Sequence, residues 1–201
     1  MEKKKKKIRD YQLDELGRMG IYAVSLVDFP AIEVDFVAMS KKKNIKLAEV
    51  VEERRMLFGP ILIPDQLIYR VDPDTQEEYY ARYSGEVCEQ AAHLILKKNQ
   101  HHNVTLMHEL PVSGQYIAEL WVKEGASDKS VELGFNLPNK TVFIGMKIED
   151  DDIWNEVKNG TFRGFSIEAF FMNVGENMAA VNQSSFEDDL KELGVLLQQI
   201  K

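Results

Sequence analysis

The sequence predicts an α+β fold, mainly β: a closed or partly open β-barrel flanked by helices. Three observations carry this. Apolar and aromatic runs of strand length recur along the chain, and Gly and Pro punctuate them. Before the tail only two stretches read as helices. No internal repeat or glycine-rich phosphate loop points to another architecture.

The elements follow in order. Residues 1–19 read as a basic, flexible N-terminal arm carrying Lys3 to Lys7, and Lys41 to Lys43 read as a lysine-rich loop. These clusters are solvated segments on one reading and an electrostatic tether to an acidic partner, such as a scaffold, on the other. Residues 20–172 read as the barrel domain. Its strands are expected at Met56 to Ile63, Leu67 to Val71, Tyr79 to Ser84, Val104 to Leu110, Tyr116 to Val122, Thr141 to Ile148 and Phe162 to Phe171. Glu86 to Lys98 is helical because Val87, Ala91, Leu94 and Ile95 share one face. Asp150 opens a second helix through Lys158, with acids at its start and a lysine near its end, and Asn159-Gly160 stops it. Residues 173–201 read as a polar linker followed by an amphipathic helix, with Phe186, Leu190, Leu193 and Leu197 at helical spacing.

Composition narrows the function. The 201 residues are 44% hydrophobic and 29% charged, as in a soluble globular protein. No apolar run reaches the roughly 20 residues of a membrane span, and the basic start lacks a signal peptide's apolar stretch. A net charge of −8 argues against general nucleic-acid binding. The single cysteine, Cys88, excludes an internal disulfide, fits a reducing cytoplasm and reads as structural.

Ser166, in Gly164-Phe165-Ser166-Ile167-Glu168, and His108, in Met107-His108-Glu109, lie in two separate strand-like runs. Folding could join them as nucleophile and base. If Ser113-Gly114 is a two-residue hairpin loop, Val112 faces Gln115, Leu110 faces Ile117 and His108 faces Glu119. Opposed side chains have Cβ atoms about 5 Å apart, so Glu119 is the geometric choice for the acid that orients His108. Glu168 is its rival, on the same strand face as Ser166. Arg163 could support an oxyanion or pair with a carboxylate, and Gly164 would allow close backbone approach beside the serine. The packing alternative is a small strand serine and a satisfied histidine. The cluster His101, His102, His108 and Glu109 has no trusted metal spacing, and neither a metal nor another cofactor is expected. Trp121 and Trp154 read as fillers of core or domain-surface gaps.

The ordered set of motifs resembles the XkdF-like prohead (capsid-maturation) serine proteases of tailed phages and prophages, from about Tyr22 to Phe171. The set is Val24-Ser25-Leu26-Val27-Asp28 with Pro30-Ala31, Phe58-Gly59-Pro60-Ile61-Leu62-Ile63-Pro64, Ile68-Tyr69-Arg70, His108-Glu109, Glu119-Leu120-Trp121, Gly145-Met146-Lys147-Ile148 and Arg163-Gly164-Phe165-Ser166-Ile167-Glu168. The resemblance implies a herpesvirus assemblin-like barrel with Ser166 as nucleophile and His108 as base. It does not carry over the third member, which varies among related families. It further implies a chain that sits inside the immature capsid in the bacterial host cytoplasm. There it would cut phage scaffolding protein, the major capsid protein's N-terminal segment and itself, as a homo-oligomer such as a dimer. Two other classes stand beside it: a catalytically silent capsid-assembly or scaffold-binding protein of the same fold, and an unrelated barrel that binds a small molecule in an apolar pocket.

Overall fold

The computed structural model describes residues 6–14, 18–39 and 54–174. The strands of these residues form three four-stranded sheets. The core sheet contains β3 (Val37–Met39), β4 (Met56–Leu62), β9 (Gln115–Val122) and β10 (Val142–Ile148) in the antiparallel order β3-β4-β10-β9. Every residue of β4 is buried, as are all but Lys147 in β10, which fits strands covered on both faces. Gly145 is required there: a Cβ would stand 2.6 Å from the Phe58 ring.

The second sheet carries the candidate residues Ser166 and Glu168. It runs β11-β2-β7-β8, with β2 (Gly20–Val27), β7 (Val104–Leu106), β8 (Leu110–Val112) and β11 (Gly164–Phe170). β2 is antiparallel to β11 and parallel to β7, and β8 folds back antiparallel on β7. The third sheet runs β12-β1-β6-β5, with β1 (Lys7–Gln12), β5 (Ile68–Val71), β6 (Glu78–Tyr83) and β12 (Met172–Asn173). Helix α1 (Gly85–Lys97) is capped by Ser84 and buries Val87, Cys88, Ala91, Ala92 and Ile95. Helix α3 (Asp151–Lys158) is capped by Asp150, whose carboxylate accepts from the Ile153 N–H at 2.9 Å, and buries Ile153, Trp154 and Val157. A short α2 (Lys129–Glu132) lies between β9 and β10. Among the described residues no helix is long and apolar enough to cross a membrane.

The mainly-β expectation holds, and both expected helices form, α1 where the periodicity puts it and α3 where its acidic start and Asn159-Gly160 stop put it. Closure into a barrel is not found among the described residues. β11 meets β4 through side chains, with Phe165 against Gly59 and Phe36, and no backbone ladder joins the two strands. Two further expectations change. Lys7–Gln12, assigned to the flexible arm, is a strand parallel to β6. Ion pairs fasten it: Lys6 to Glu78 at 3.0 Å, Arg9 to Asp72 at 3.0 Å and Glu77 at 2.6 Å, and Arg82 to Asp10 at 2.6 Å. Val104 to Leu110, expected as one strand, breaks at residues 107–109 into a tight turn. Lys3 to Lys5, Lys41 to Lys43, and the linker and tail helix from Gly175 onward lie outside the described residues.

Candidate active site

β11 alternates as a strand should: Phe165 enters the core while Ser166 and Glu168 share the other face. Its register fixes their neighbours. Ser166 lies opposite Ser25 of β2, and Ser25 lies opposite Thr105 of β7. Three hydroxyl side chains therefore cross the sheet in one row. Glu168 lies opposite Ala23, whose small side chain leaves space for the carboxylate to reach across β2. There Glu168 Oε1 accepts a hydrogen bond from the Thr105 hydroxyl and contacts His108 Nδ1 at 3.4 Å.

His108 is presented by the turn between β7 and β8. Met107 and His108 have φ of 52° and 64°, the left-handed conformation that non-glycine residues avoid. The turn is closed by the Glu109 N–H donating to the Leu106 carbonyl at 3.0 Å. It is tied to β2 twice. The Met107 N–H donates to the Leu26 carbonyl at 3.0 Å, and the His108 N–H donates to Ser25 Oγ at 2.9 Å. Ser25 is fully buried, and its own hydroxyl points at the Thr105 carbonyl 3.3 Å away. A buried serine thus fixes the backbone of the histidine, while the carboxylate contacts the ring.

Ser166 and His108 line one cleft of about 340 Å³ together with Val27, Asp28, Phe29, Arg70 and Met107. The Ser166 hydroxyl makes no hydrogen bond among the described residues, and the His108 side chain is 42% exposed. The loop after β2 forms the rim. Pro30 sits on Gly164, where a Cβ would be 2.5 Å from the proline ring, so Gly164 makes way for the cleft wall.

The sequence-derived candidates separate on this geometry. Ser166, His108 and Glu168 come together. Glu119 does not join them. It lies on β9 in the core sheet, paired with Lys129, whose ammonium also sits 4.2 Å from the centre of the Phe58 ring. The expected facing of His108 and Glu119 fails because β8 pairs with β7 and β9 pairs with β10, so no 108–119 hairpin forms. Arg163 is engaged by Asp35, at 2.8 Å from Nη2 and 3.3 Å from Nε. It lines a neighbouring pocket and not the serine–histidine cleft. Ser25, Thr105 and Arg70 were given no role by the sequence. Ser25 and Arg70 stand inside the motif set, which was the available signal. Thr105 gave none. Trp121 stacks on Phe143, and Trp154 is buried.

In comparison with known proteins, residues 45–174 match the model of a family described as "Putative phage serine protease XkdF". That span includes Arg70, Thr105, His108, Ser166 and Glu168. No curated protein and no solved structure matches the chain.

Proposed function

The chain belongs to this phage serine protease family, and from that premise we propose that it is a prohead-maturation endopeptidase using Ser166, His108 and Glu168. The observation that carries the catalytic assignment is the convergence of the three side chains: Ser166 and His108 in the wall of one cleft, with Glu168 3.4 Å from His108 Nδ1. Glu168 replaces Glu119 as the proposed acid, because Glu119 is committed to Lys129 in another sheet.

The chemistry is acyl transfer. A proton on His108 Nδ1, turned to Glu168, leaves Nε2 free to accept the Ser166 proton. The Ser166 oxygen attacks the peptide carbonyl and forms a tetrahedral oxyanion. Its collapse breaks the C–N bond, and the departing amine takes the proton from His108. Water, deprotonated by the same imidazole, then releases the acyl group and restores Ser166. Glu168 stabilises the imidazolium in both halves. Catalytic hydrogen bonds commonly tighten only in the substrate complex, which accommodates the free Ser166 hydroxyl. The proposed substrates are the scaffolding protein, the major capsid protein and the chain itself, cut inside the immature capsid by a homo-oligomer.

Intact-mass spectrometry after fluorophosphonate treatment tests the core of this reading. One adduct, absent from Ser166→Ala and His108→Ala, is expected. An adduct of equal size and rate in Ser166→Ala refutes the nucleophile. No adduct in the wild-type chain, with tight binding to scaffolding protein, would favour the silent assembly role.

A further inference from the structure

Arg70, on edge strand β5, lines the serine–histidine cleft and also a neighbouring pocket of about 600 Å³. It stands at the junction of the two. Arg9, Arg18, Arg55, Arg82 and Arg163 each hold a carboxylate within 3.0 Å. Half-buried Arg70 holds none among the described residues. Its guanidinium donates only to the adjacent Tyr69 carbonyl, at 3.1 Å. A guanidinium carries five N–H donors in a planar fork suited to a carboxylate, so most of its binding capacity faces the two cavities unused.

No acid lining the two cavities pairs with it among the described residues. Asp35 pairs with Arg163, Asp28 accepts from the Phe29 N–H at 2.8 Å, and Glu33 is solvent-exposed. The larger pocket also presents apolar surface: Phe29, 77% exposed at the rim shared by both cavities, and the exposed Leu67 and Tyr69. Asp28, Glu33 and Asp35 also line the larger pocket, but the apolar surface of Phe29, Leu67 and Tyr69 beside a guanidinium with free donors fits a side chain with a methylene stem and an anionic tip.

We propose that Arg70 forms a substrate subsite for an acidic side chain on the residue whose carbonyl Ser166 attacks. This inference rests on the protease reading above. The carboxylate of the substrate completes the guanidinium fork, while its methylenes lie against the apolar wall.

The test uses the full chain and three peptidyl diphenyl phosphonates that differ only in the side chain beside phosphorus: glutamate, glutamine or lysine. Rates of adduct formation on Ser166 are read by intact mass. The glutamate probe should react about 10- to 100-fold faster than the glutamine probe, the worth of one charge-assisted hydrogen-bonded pair. Arg70→Lys should keep part of that preference, and Arg70→Glu should shift it to the lysine probe. Equal behaviour of the glutamate and glutamine probes, in a chain that fluorophosphonate still labels, overturns the subsite alone. So does a uniform rate loss with all probes in Arg70→Glu, which would place the guanidinium at the carbonyl oxygen. Failure of every probe and of fluorophosphonate overturns the protease reading, and the subsite with it.

Discussion

Replacing Ser25 by alanine removes an atom that touches no substrate, and the geometry says activity should fall nonetheless. The His108 turn holds two non-glycine residues in the left-handed region, each costing about 1–2 kcal/mol. Against this stored cost of about 2–4 kcal/mol stand three hydrogen bonds, from the N–H groups of Met107, His108 and Glu109. Deleting Ser25 Oγ leaves the His108 N–H without its acceptor, a loss of about 1–3 kcal/mol. That is comparable to the strain, so the presented conformation should drop from dominant to a minority. The expected result is a roughly 10- to 100-fold slower reaction of Ser166 with fluorophosphonate, by the rule that 1.4 kcal/mol is a factor of ten. Thermal denaturation should show a folded chain whose Tm falls by roughly 2–4 °C per kcal/mol. Amide hydrogen exchange should accelerate at His108. Adding Met107→Gly, which relieves left-handed strain, should restore part of the labelling rate. A Ser25→Ala chain that labels within about twofold of wild type, with unchanged exchange at His108, would refute the clamp.

Other perturbations separate the remaining claims. Glu168→Gln should slow labelling of Ser166 by about 10³- to 10⁴-fold if the carboxylate sets the tautomer, while Glu119→Gln should stay within about threefold; the reverse order would return the acid to Glu119. Gly164→Ala drives a methyl into Pro30 and should cost about 1–3 kcal/mol in urea unfolding, as overpacking does; unchanged stability would mean that the rim loop moves aside freely. Cys88 is fully buried, and burial pushes its thiol up to about 12, so iodoacetamide at neutral pH should modify it only once denaturant is added. Asp72 is held down at about 2 by the Thr75 backbone N–H and the Arg9 guanidinium. A depressed carboxyl stabilises the fold above its unfolded value of about 3.9 and loses that contribution as pH falls through its folded value. The Tm difference between wild type and Asp72→Asn should therefore be full near neutrality and shrink between about pH 4 and 2; a constant difference would mean that neither the Thr75 N–H nor Arg9 holds the carboxylate in the folded chain.

Strand positions were legible wherever burial imposed a pattern. β4 and β10 are continuous apolar runs because both their faces are covered, and α3 announces itself through Asp150 at its cap and Gly160 past its end. β1 was not legible, for a physical reason. Ile8 is exposed, and the strand is held by a parallel backbone ladder and by Arg9, Asp10 and Lys6 pairing with acids and bases on distant segments. Hydrophobic periodicity has nothing to detect in such a strand. Three separate sheets were equally hidden, since strand runs do not say whether neighbours join by ladders or by side-chain packing such as Phe165 on Gly59.

The proposed acid shows most clearly what local reading can and cannot reach. Glu119 was chosen by extending a hairpin backwards through Leu110 and assuming one straight strand as far as His108. Both steps fail: β8 pairs with β7 while β9 pairs with β10, so Leu110 does not face Ile117. The strand also breaks at Met107-His108, two residues that carry none of the glycine or asparagine chemistry by which left-handed turns are recognised. The turn forms because Ser25 and Leu26, far away in sequence, supply acceptors for it. Glu168 needed less: the two-residue period of β11 places it on the face of Ser166 without knowledge of any other strand. What periodicity could not supply was the register of β2, which sets small Ala23 beside Glu168 and opens its path to Thr105 and His108. A same-strand inference spanning two residues survived folding, and a cross-strand inference spanning eleven did not, because each added turn residue is another chance for long-range contacts to choose the chain's direction.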